Sequence, residues 1–158
     1  MKFQTISQQD TMDMAACLAQ MLKAGDTVLL HGDLGAGKSV FARGVARGMG
    51  IEGPMPSPTF TLLIPYEGSA GRFYHFDLYR LNDPDEFYAA GLDEFIGGDG
   101  VAVVEWPEMA ELYASPRLDV RIDRAAGADE NRREIEIENV GVAGFKPDTL
   151  DRWRADGR

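Results

Sequence analysis

Residues 32–39 have the residue types and spacing of a phosphate-binding loop, Gly-x-x-x-x-Gly-Lys-Ser. The apolar residues 28–30 precede this segment, and residues 41–49 follow it with apolar side chains at helical spacing. In a strand, loop and helix of this order, backbone N–H groups at the start of the helix cradle phosphates. We expect Lys38 to reach the β- and γ-phosphates and the Ser39 hydroxyl to bind Mg²⁺. The sequence therefore predicts a site for a nucleoside triphosphate.

Two carboxylates are candidates for the catalytic side of this site. Hydrolysis requires Mg²⁺ to be held and a water molecule to be aimed in line with the γ-phosphate, and a carboxylate at the end of an apolar strand commonly helps. Glu105 fits this description best because it directly follows the apolar run 101–104. Asp77 is the second candidate, although apolar and polar residues alternate more in its strand, so that one face could be solvent-exposed. Either carboxylate could instead be a solvated group at a strand end.

A proline-rich segment follows the helix of the phosphate loop. Three prolines at alternate positions exclude a helix from residues 53–59 and favour an extended loop. In nucleotide switches, a loop in this place can hold a threonine that senses the γ-phosphate through Mg²⁺, and Thr59 is the candidate here. The alternative is a rigid surface connector. Trp106, next to Glu105, is either a core residue, a wall of the site or a contact for a partner.

The composition limits the classes of partner. The chain has 158 residues, of which 44% are apolar, and this predicts one compact domain. Its formal net charge of −10 disfavours direct contact with tRNA, DNA or anionic membranes. No apolar run reaches the roughly 18 residues of a membrane span, and the first residues lack a signal-peptide core, so we expect a cytoplasmic protein. With Cys17 as the single cysteine, no internal disulfide forms.

The elements predicted around these residues form an α/β domain with a mixed parallel and antiparallel sheet flanked by helices. Predicted strands cover residues 2–7, 28–30, 60–64, 73–79, 101–104, 118–122 and 135–137. The last two strands alternate apolar and charged residues and predict an antiparallel hairpin. Because ligands bind at the carboxyl ends of parallel strands, residues 32–39, Asp77 and Glu105 are expected at one edge. Residues 1–143 are assigned to the P-loop domain, and both docking and mobility remain open for the tail 144–158.

Four short blocks occur in an order that is typical of one family: residues 32–39, 57–62, 75–81 and 104–108. With these blocks the chain closely resembles the TsaE (YjeE) family, small bacterial ATPases needed to make threonylcarbamoyladenosine in tRNA. The resemblance implies a P-loop ATPase that uses ATP and Mg²⁺ and is slow alone. It also implies work with the TsaD–TsaB pair, which performs the transferase chemistry and through which tRNA is contacted only indirectly. Hydrolysis would reset that complex between turnovers.

The resemblance also implies roles for individual residues. Glu105 resembles the Mg²⁺-linked acid, Asp77 a second essential acid and Thr59 a switch-like threonine. The implied catalytic residues are Lys38, Thr59, Asp77 and Glu105, and the implied metal ligands are Ser39, Asp77 and Glu105. The implied nucleotide-binding residues are Ser7, Gln8, Thr11, Gly32, Asp33, Leu34, Gly35, Ala36, Gly37, Lys38, Ser39, Val40, Trp106 and Arg132. Ser39 departs from the commoner threonine, but either hydroxyl can bind Mg²⁺.

Other functions are compatible with a phosphate loop. A small-molecule or nucleoside kinase would need an acceptor pocket and commonly an arginine-bearing lid, and the sequence has no insertion long enough for one. A non-catalytic nucleotide-binding module would bind ATP without turnover. A signalling GTPase is disfavoured because an Asn-Lys-x-Asp guanine motif is not evident. Candidate arginine fingers within the chain are Arg43, Arg80 and Arg132; a finger supplied by a partner is the alternative and predicts weak activity alone.

Overall fold

A seven-stranded sheet lies at the centre of the computed structural model, which describes residues 1–127 and 129–155. The strands are β1 (Lys2–Thr5), β2 (Thr27–His31), β3 (Leu63–Gly68), β4 (Gly71–Asp77), β5 (Gly100–Glu105), β6 (Arg117–Arg124) and β7 (Arg133–Val140). Their order across the sheet is β1-β7-β6-β2-β5-β4-β3. Strands β6, β2, β5 and β4 are mutually parallel, whereas the pairs β1–β7, β7–β6 and β4–β3 are antiparallel. The predicted α/β fold with a mixed sheet is confirmed.

Helices cover both faces of the sheet. The elements are α1 (Gln8–Ala19), α2 (Lys38–Gly48), α3 (Pro84–Ala89) and 3₁₀ segments at Leu92–Phe95, Pro107–Ala110 and Pro147–Trp153. Helices α1 and α2 pack on one face, while α3 and the first two 3₁₀ segments cover the other. Gly44 of α2 allows the two large helices to approach closely, because a Cβ there would collide with the backbone of Met12. This packing fixes the start of α2 against the sheet.

The central strands follow the predicted burial. Every residue of β5 is buried, as expected for a strand covered on both faces. In the β6–β7 hairpin, the apolar side chains on one face are buried, and the charged ones lie on the other. The register pairs Val120 with Ile137 and Ile122 with Ile135, which confirms the antiparallel hairpin.

The strand predicted at residues 60–64 is wrong in its boundaries. The backbone N–H of Leu62 donates to the carbonyl of Pro58 at 2.7 Å, and Leu62 has a φ of 67°. A turn therefore continues from the proline-rich segment, and β3 starts only at Leu63. This strand then runs through residue 68 and forms an antiparallel hairpin with β4, in which Gly68 pairs with Gly71.

Part of the tail docks on the domain. Leu150 and Trp153 of the last 3₁₀ segment are buried against the α1 side of the core. The indole Nε1–H of Trp153 donates to Oδ1 of Asp10, in the first turn of α1, at 2.8 Å. Residues 156–158 of the predicted tail lie outside the described residues. No helix within the described ranges is long and apolar enough to cross a membrane.

Candidate nucleotide-binding site

The site lies at the edge where the parallel strands β2, β4 and β5 end. The register pairs Asp77, the last residue of β4, with Glu105, the last residue of β5. Glu105 also pairs with Leu30, and residues 32–39 follow β2 directly. Because paired residues of parallel strands project to the same face, both carboxylates lie beside the loop. The predicted convergence on one edge is confirmed.

The loop backbone has the features of an anion-binding helix start. Gly32, Gly35 and Gly37 have φ values of 147°, 79° and 114°, which glycine adopts readily. A Cβ at Gly32 would collide with the carbonyl oxygen of Ile122. Helix α2 then begins at Lys38 with no side-chain hydrogen bond at its N-cap. Its first N–H groups therefore remain available for phosphate oxygens.

Lys38 is held at the mouth of this loop. Its Nζ donates to the carbonyl oxygens of Gly32 and of Asp33, the latter at 3.3 Å. The same Nζ lies 3.5 Å from the centroid of the Trp106 ring, within the range of a cation–π contact. The ring of Tyr79 packs against the indole with 4.9 Å between centroids. Trp106 and Tyr79 therefore form one wall of the site, next to Lys38.

Burial and the neighbouring carboxylates act in opposite directions on the charge of Lys38. Burial lowers the pKa of Lys38 below its ordinary value, because removal from water disfavours the ammonium form. The carboxylates of Glu105, Glu108, Asp77 and Asp33 oppose this shift of the pKa, with Glu105 contributing most. A bound phosphate would add a further negative charge and stabilise the charged form of the lysine.

Glu105 is buried and fixed through both carboxylate oxygens. The Ser39 hydroxyl donates to Oε1 at 2.9 Å. The Nε2 of His75 lies 2.7 Å from Oε2. The hydroxyl and the carboxylate that the sequence predicted as metal ligands are thus in direct contact.

Asp77 connects the sheet edge to the proline-rich loop. Its Oδ2 accepts a hydrogen bond from the Thr59 hydroxyl at 3.1 Å, and its Oδ1 accepts one from the backbone N–H of Tyr79 at 3.1 Å. The hydroxyls of Ser57 and Thr59 are 2.6 Å apart. A change in the position of Asp77 would therefore directly alter its hydrogen bond to Thr59 in the proline-rich loop.

These groups surround an open cavity of about 500 Å³. Its volume falls within the range of about 300–1,000 Å³ that is typical of small-molecule sites. The lining residues are Gln8, Thr11, Leu34, Gly35, Gly37, Lys38, Ser39, Val40, Ser57, Thr59, Asp77, Tyr79, Glu105, Trp106, Asn131 and Arg133. The cavity is therefore large enough for a nucleotide, and it brings residues from six separate parts of the chain together.

Most of the residues singled out in the sequence line this cavity, and their roles there stay predictions. Those absent from the lining are Ser7, Gly32, Asp33, Ala36, Arg132 and the other two candidate arginine fingers, Arg43 and Arg80. Gly32, Asp33 and Ala36 belong to the loop backbone itself. Ser7 caps α1 by accepting from the N–H of Asp10 at 3.0 Å. It thereby positions Gln8 and Thr11, which do line the cavity.

The arginine at the site is Arg133 rather than Arg132. Arg132 is exposed, whereas Nε of Arg133 donates to the carbonyl oxygen of Ala36 at 2.6 Å. The sequence could have predicted this position of Arg133. Side chains two residues apart in a strand lie on the same face, so Arg133 shares the core-facing side of β7 with Ile135 and Ile137. Other lining residues that the sequence analysis did not assign to the site are Ser57, Tyr79 and Asn131.

The donor set fits Mg²⁺ bound together with phosphates. A hydroxyl and one or two carboxylates are hard oxygen ligands, which Mg²⁺ prefers. In residues 1–127 and 129–155, no group of three or more His, Cys, Asp or Glu side chains could hold a metal alone. At phosphate sites, Mg²⁺ usually has few protein ligands and shares its coordination with the substrate.

The comparison with known proteins agrees with this geometry. The family model described as "Threonylcarbamoyl adenosine biosynthesis protein TsaE" matches residues 5–135. The chain belongs to the TsaE family. All of the loop, both carboxylates and Trp106 lie within the matched residues.

Individual family members are similar over most of their length. The tRNA threonylcarbamoyladenosine biosynthesis protein TsaE of Bacillus subtilis (strain 168) is 42% identical over 142 residues, which are 89% of this chain and 87% of that protein. The protein of the same name from Treponema pallidum (strain Nichols) is 40% identical over 126 residues, covering 80% of this chain and 92% of its own. A crystal structure of Bacillus subtilis YdiB superimposes with a TM-score of 0.73 at 36% identity, covering 89% of this chain and 86% of that one.

Proposed function

We propose that the chain is the Mg²⁺-dependent, ATP-hydrolysing subunit of the bacterial machinery that makes threonylcarbamoyladenosine in tRNA. In this proposal it acts in the cytoplasm with the TsaD–TsaB pair. The observation that supports hydrolysis best is the meeting of the phosphate loop with Glu105 and Asp77 at one sheet edge. The pathway is supported by the names of the relatives.

ATP would bind with its phosphates along residues 32–39. The free N–H groups at the start of α2 would hold the phosphate oxygens, and Lys38 would exchange its carbonyl partners for the β- and γ-phosphates. Adenine is favoured over guanine because the sequence lacks an evident guanine-reading motif. Gln8 and Thr11 also line the cavity and would lie beside the rest of the nucleotide.

Ser39, Glu105 and Asp77 would form the metal side of the site. When bound, Mg²⁺ would neutralise part of the charge of the phosphates. Ser39 and Glu105 would provide the inner hydroxyl and carboxylate. Asp77 would orient the attacking water or contact the metal. Its hydrogen bond to Thr59 would couple the presence or loss of the γ-phosphate to the position of the proline-rich loop.

Weak activity of the isolated chain follows from the arginines. Among the described residues, Arg133 is the arginine that lines the cavity, and its Nε is already bonded to the loop. A transition-state arginine would therefore come from the partner, and such a group can increase turnover by about 10³–10⁵-fold. Leu34 and Phe60, which are 70% and 83% exposed, provide apolar contacts for that partner near the cavity. With a net charge of −10, the subunit would meet tRNA only through the complex.

The test is ATP turnover by the purified chain, alone and with TsaD and TsaB from the same organism. Phosphate release and modified tRNA are measured in the same reactions. Lys38→Ala is the control, because loss of its ammonium removes the phosphate contact while both carboxylates, Glu105 and Asp77, are retained. We expect slow turnover alone, faster turnover or coupling to tRNA modification with the pair, and neither with Lys38→Ala.

Three results would contradict the proposal. The first is multiple-turnover tRNA modification that proceeds equally well without this chain, together with an ATP turnover rate that does not change when the pair is added. The second is ADP formation that requires a small-molecule acceptor, which would indicate a kinase. The third is ATP binding with no turnover under any of these conditions, which would indicate a non-catalytic binding module.

A further inference from the structure

His75 contacts the candidate metal-binding carboxylate from inside the protein. It lies on β4 two residues before Asp77, on the same face of the strand, and is only 3% exposed. Its Nε2 is 2.7 Å from Oε2 of Glu105, the oxygen that Ser39 does not contact. The two contacts therefore divide the carboxylate between an inner partner, His75, and an outer partner, Ser39.

The ring nitrogens of His75 have unequal surroundings, and this defines the direction of the bond. Within the described residues, the buried Nδ1 has no hydrogen-bond partner. An unprotonated Nε2 would place its lone pair against the carboxylate of Glu105, while a proton on Nδ1 would remain unpaired. Nε2 must therefore hold the proton and donate to Oε2.

We propose that His75 is a positioning residue that orients Glu105 for Mg²⁺. The inference rests on the proposed function, because it assigns His75 to the metal side of that same site. With Oε2 held by the imidazole, the carboxylate cannot rotate freely about its last bond. Oε1 then stays turned towards Ser39 and the phosphate loop, where the metal would bind. Groups that orient a metal ligand in this way typically affect metal affinity or activity by about 10–100-fold.

The experiment compares nucleotide affinity with and without the metal. Calorimetric titration gives the Kd of the non-hydrolysable ATP analogue AMP-PNP in MgCl₂ and in EDTA, and the ratio of the two is the Mg²⁺ factor. This readout requires no turnover. His75→Leu removes the donor at similar volume, and we expect it to lower the Mg²⁺ factor by about tenfold while the Kd in EDTA changes little.

Two variants separate positioning from packing. His75→Gln returns an N–H at nearly the same reach and should recover most of the Mg²⁺ factor. Phe73→Leu alters a fully buried neighbour on the same face of β4, whose ring centroid is 6.2 Å from that of His75, and involves no polar contact. It should lower the melting temperature and keep the Mg²⁺ factor. If His75→Leu does not fold, His75→Asn replaces it, because its amide stops short of the Nε2 position.

The outcomes distinguish the inference from the proposed function. If the unmodified chain shows no Mg²⁺ factor, the proposed function fails and the inference fails with it. If the unmodified chain shows the factor and His75→Leu or His75→Asn retains it, the inference alone is overturned. An equal loss in Phe73→Leu, or no recovery in His75→Gln, would also overturn it, because the effect would then come from packing.

Discussion

Removal of the Arg133 side chain should weaken ATP binding about tenfold, because this side chain connects β7 to the phosphate loop by a hydrogen bond. Its Nε donates to the carbonyl oxygen of Ala36 at 2.6 Å. A hydrogen bond from a charged group contributes about 1.5–3 kcal/mol, and the partial exposure of Arg133 favours the lower end of that range. A loss of about 1.4 kcal/mol corresponds to a tenfold rise in Kd. Arg133→Ala would therefore release a loop that must be ordered again when ATP binds.

Arg132→Ala is the matched control, because it removes the same charge one residue away. Arg132 is exposed and does not line the cavity, so its variant should keep the Kd of the native chain. The assay is calorimetric titration of all three proteins with AMP-PNP in MgCl₂. The reasoning is refuted if Arg132→Ala weakens binding as much as Arg133→Ala, or if Arg133→Ala binds as tightly as the native chain.

Three further predictions concern catalysis and stability. Glu105→Gln should keep the Kd of AMP-PNP in EDTA, weaken binding in MgCl₂ and lower partner-stimulated ATP turnover by roughly 10–100-fold, and an unchanged turnover rate would remove Glu105 from the metal site. Trp153→Phe removes the indole donor to Asp10, so we expect a loss of about 1.5–3 kcal/mol in the free energy of unfolding by urea, and equal stability would show that the tail is not docked as described. Burial raises the pKa of Asp119, but the hydrogen bonds and charges of Arg117 and His31 together outweigh it, and the net pKa is lowered. The ionised carboxylate stabilises the fold above its unfolded pKa, and this stabilisation is lost as the pH falls through its folded pKa. Asp119→Asn should therefore make the free energy of unfolding less dependent on pH on the acid side. An unchanged pH dependence would contradict this prediction.

The site could be predicted where its residues are contiguous or where strand direction decides their placement. The phosphate loop requires only local backbone geometry, and its glycines and lysine are adjacent in the sequence. Asp77 and Glu105 are 28 positions apart, yet both end strands that are parallel to β2. Parallel strands end at one edge of a sheet, so a rule about topology was enough to bring them together.

Contacts that depend on register were harder to predict. The bond between His75 and Glu105 requires β4 and β5 to pair with no offset between Asp77 and Glu105, and no local pattern fixes that pairing. The late start of β3 has a similar cause, because a hydrogen bond back to Pro58 holds Leu62 in a turn despite its apolar sequence. The choice between Arg132 and Arg133 was available from the period of β7, but the family resemblance gave only weak local support there.

The contact between Lys38 and Trp106 should allow nucleotide binding to be followed by the intrinsic fluorescence of Trp106. An ammonium 3.5 Å from the indole perturbs the excited state of that ring, and a phosphate bound to Lys38 would change that perturbation. Intrinsic tryptophan emission should therefore change as ATP fills the cavity, with no attached dye. The other tryptophan, Trp153, is buried on the α1 side and bonded to Asp10, so its emission would supply a constant background. Subtraction of the spectrum of Trp106→Phe would isolate the signal from Trp106.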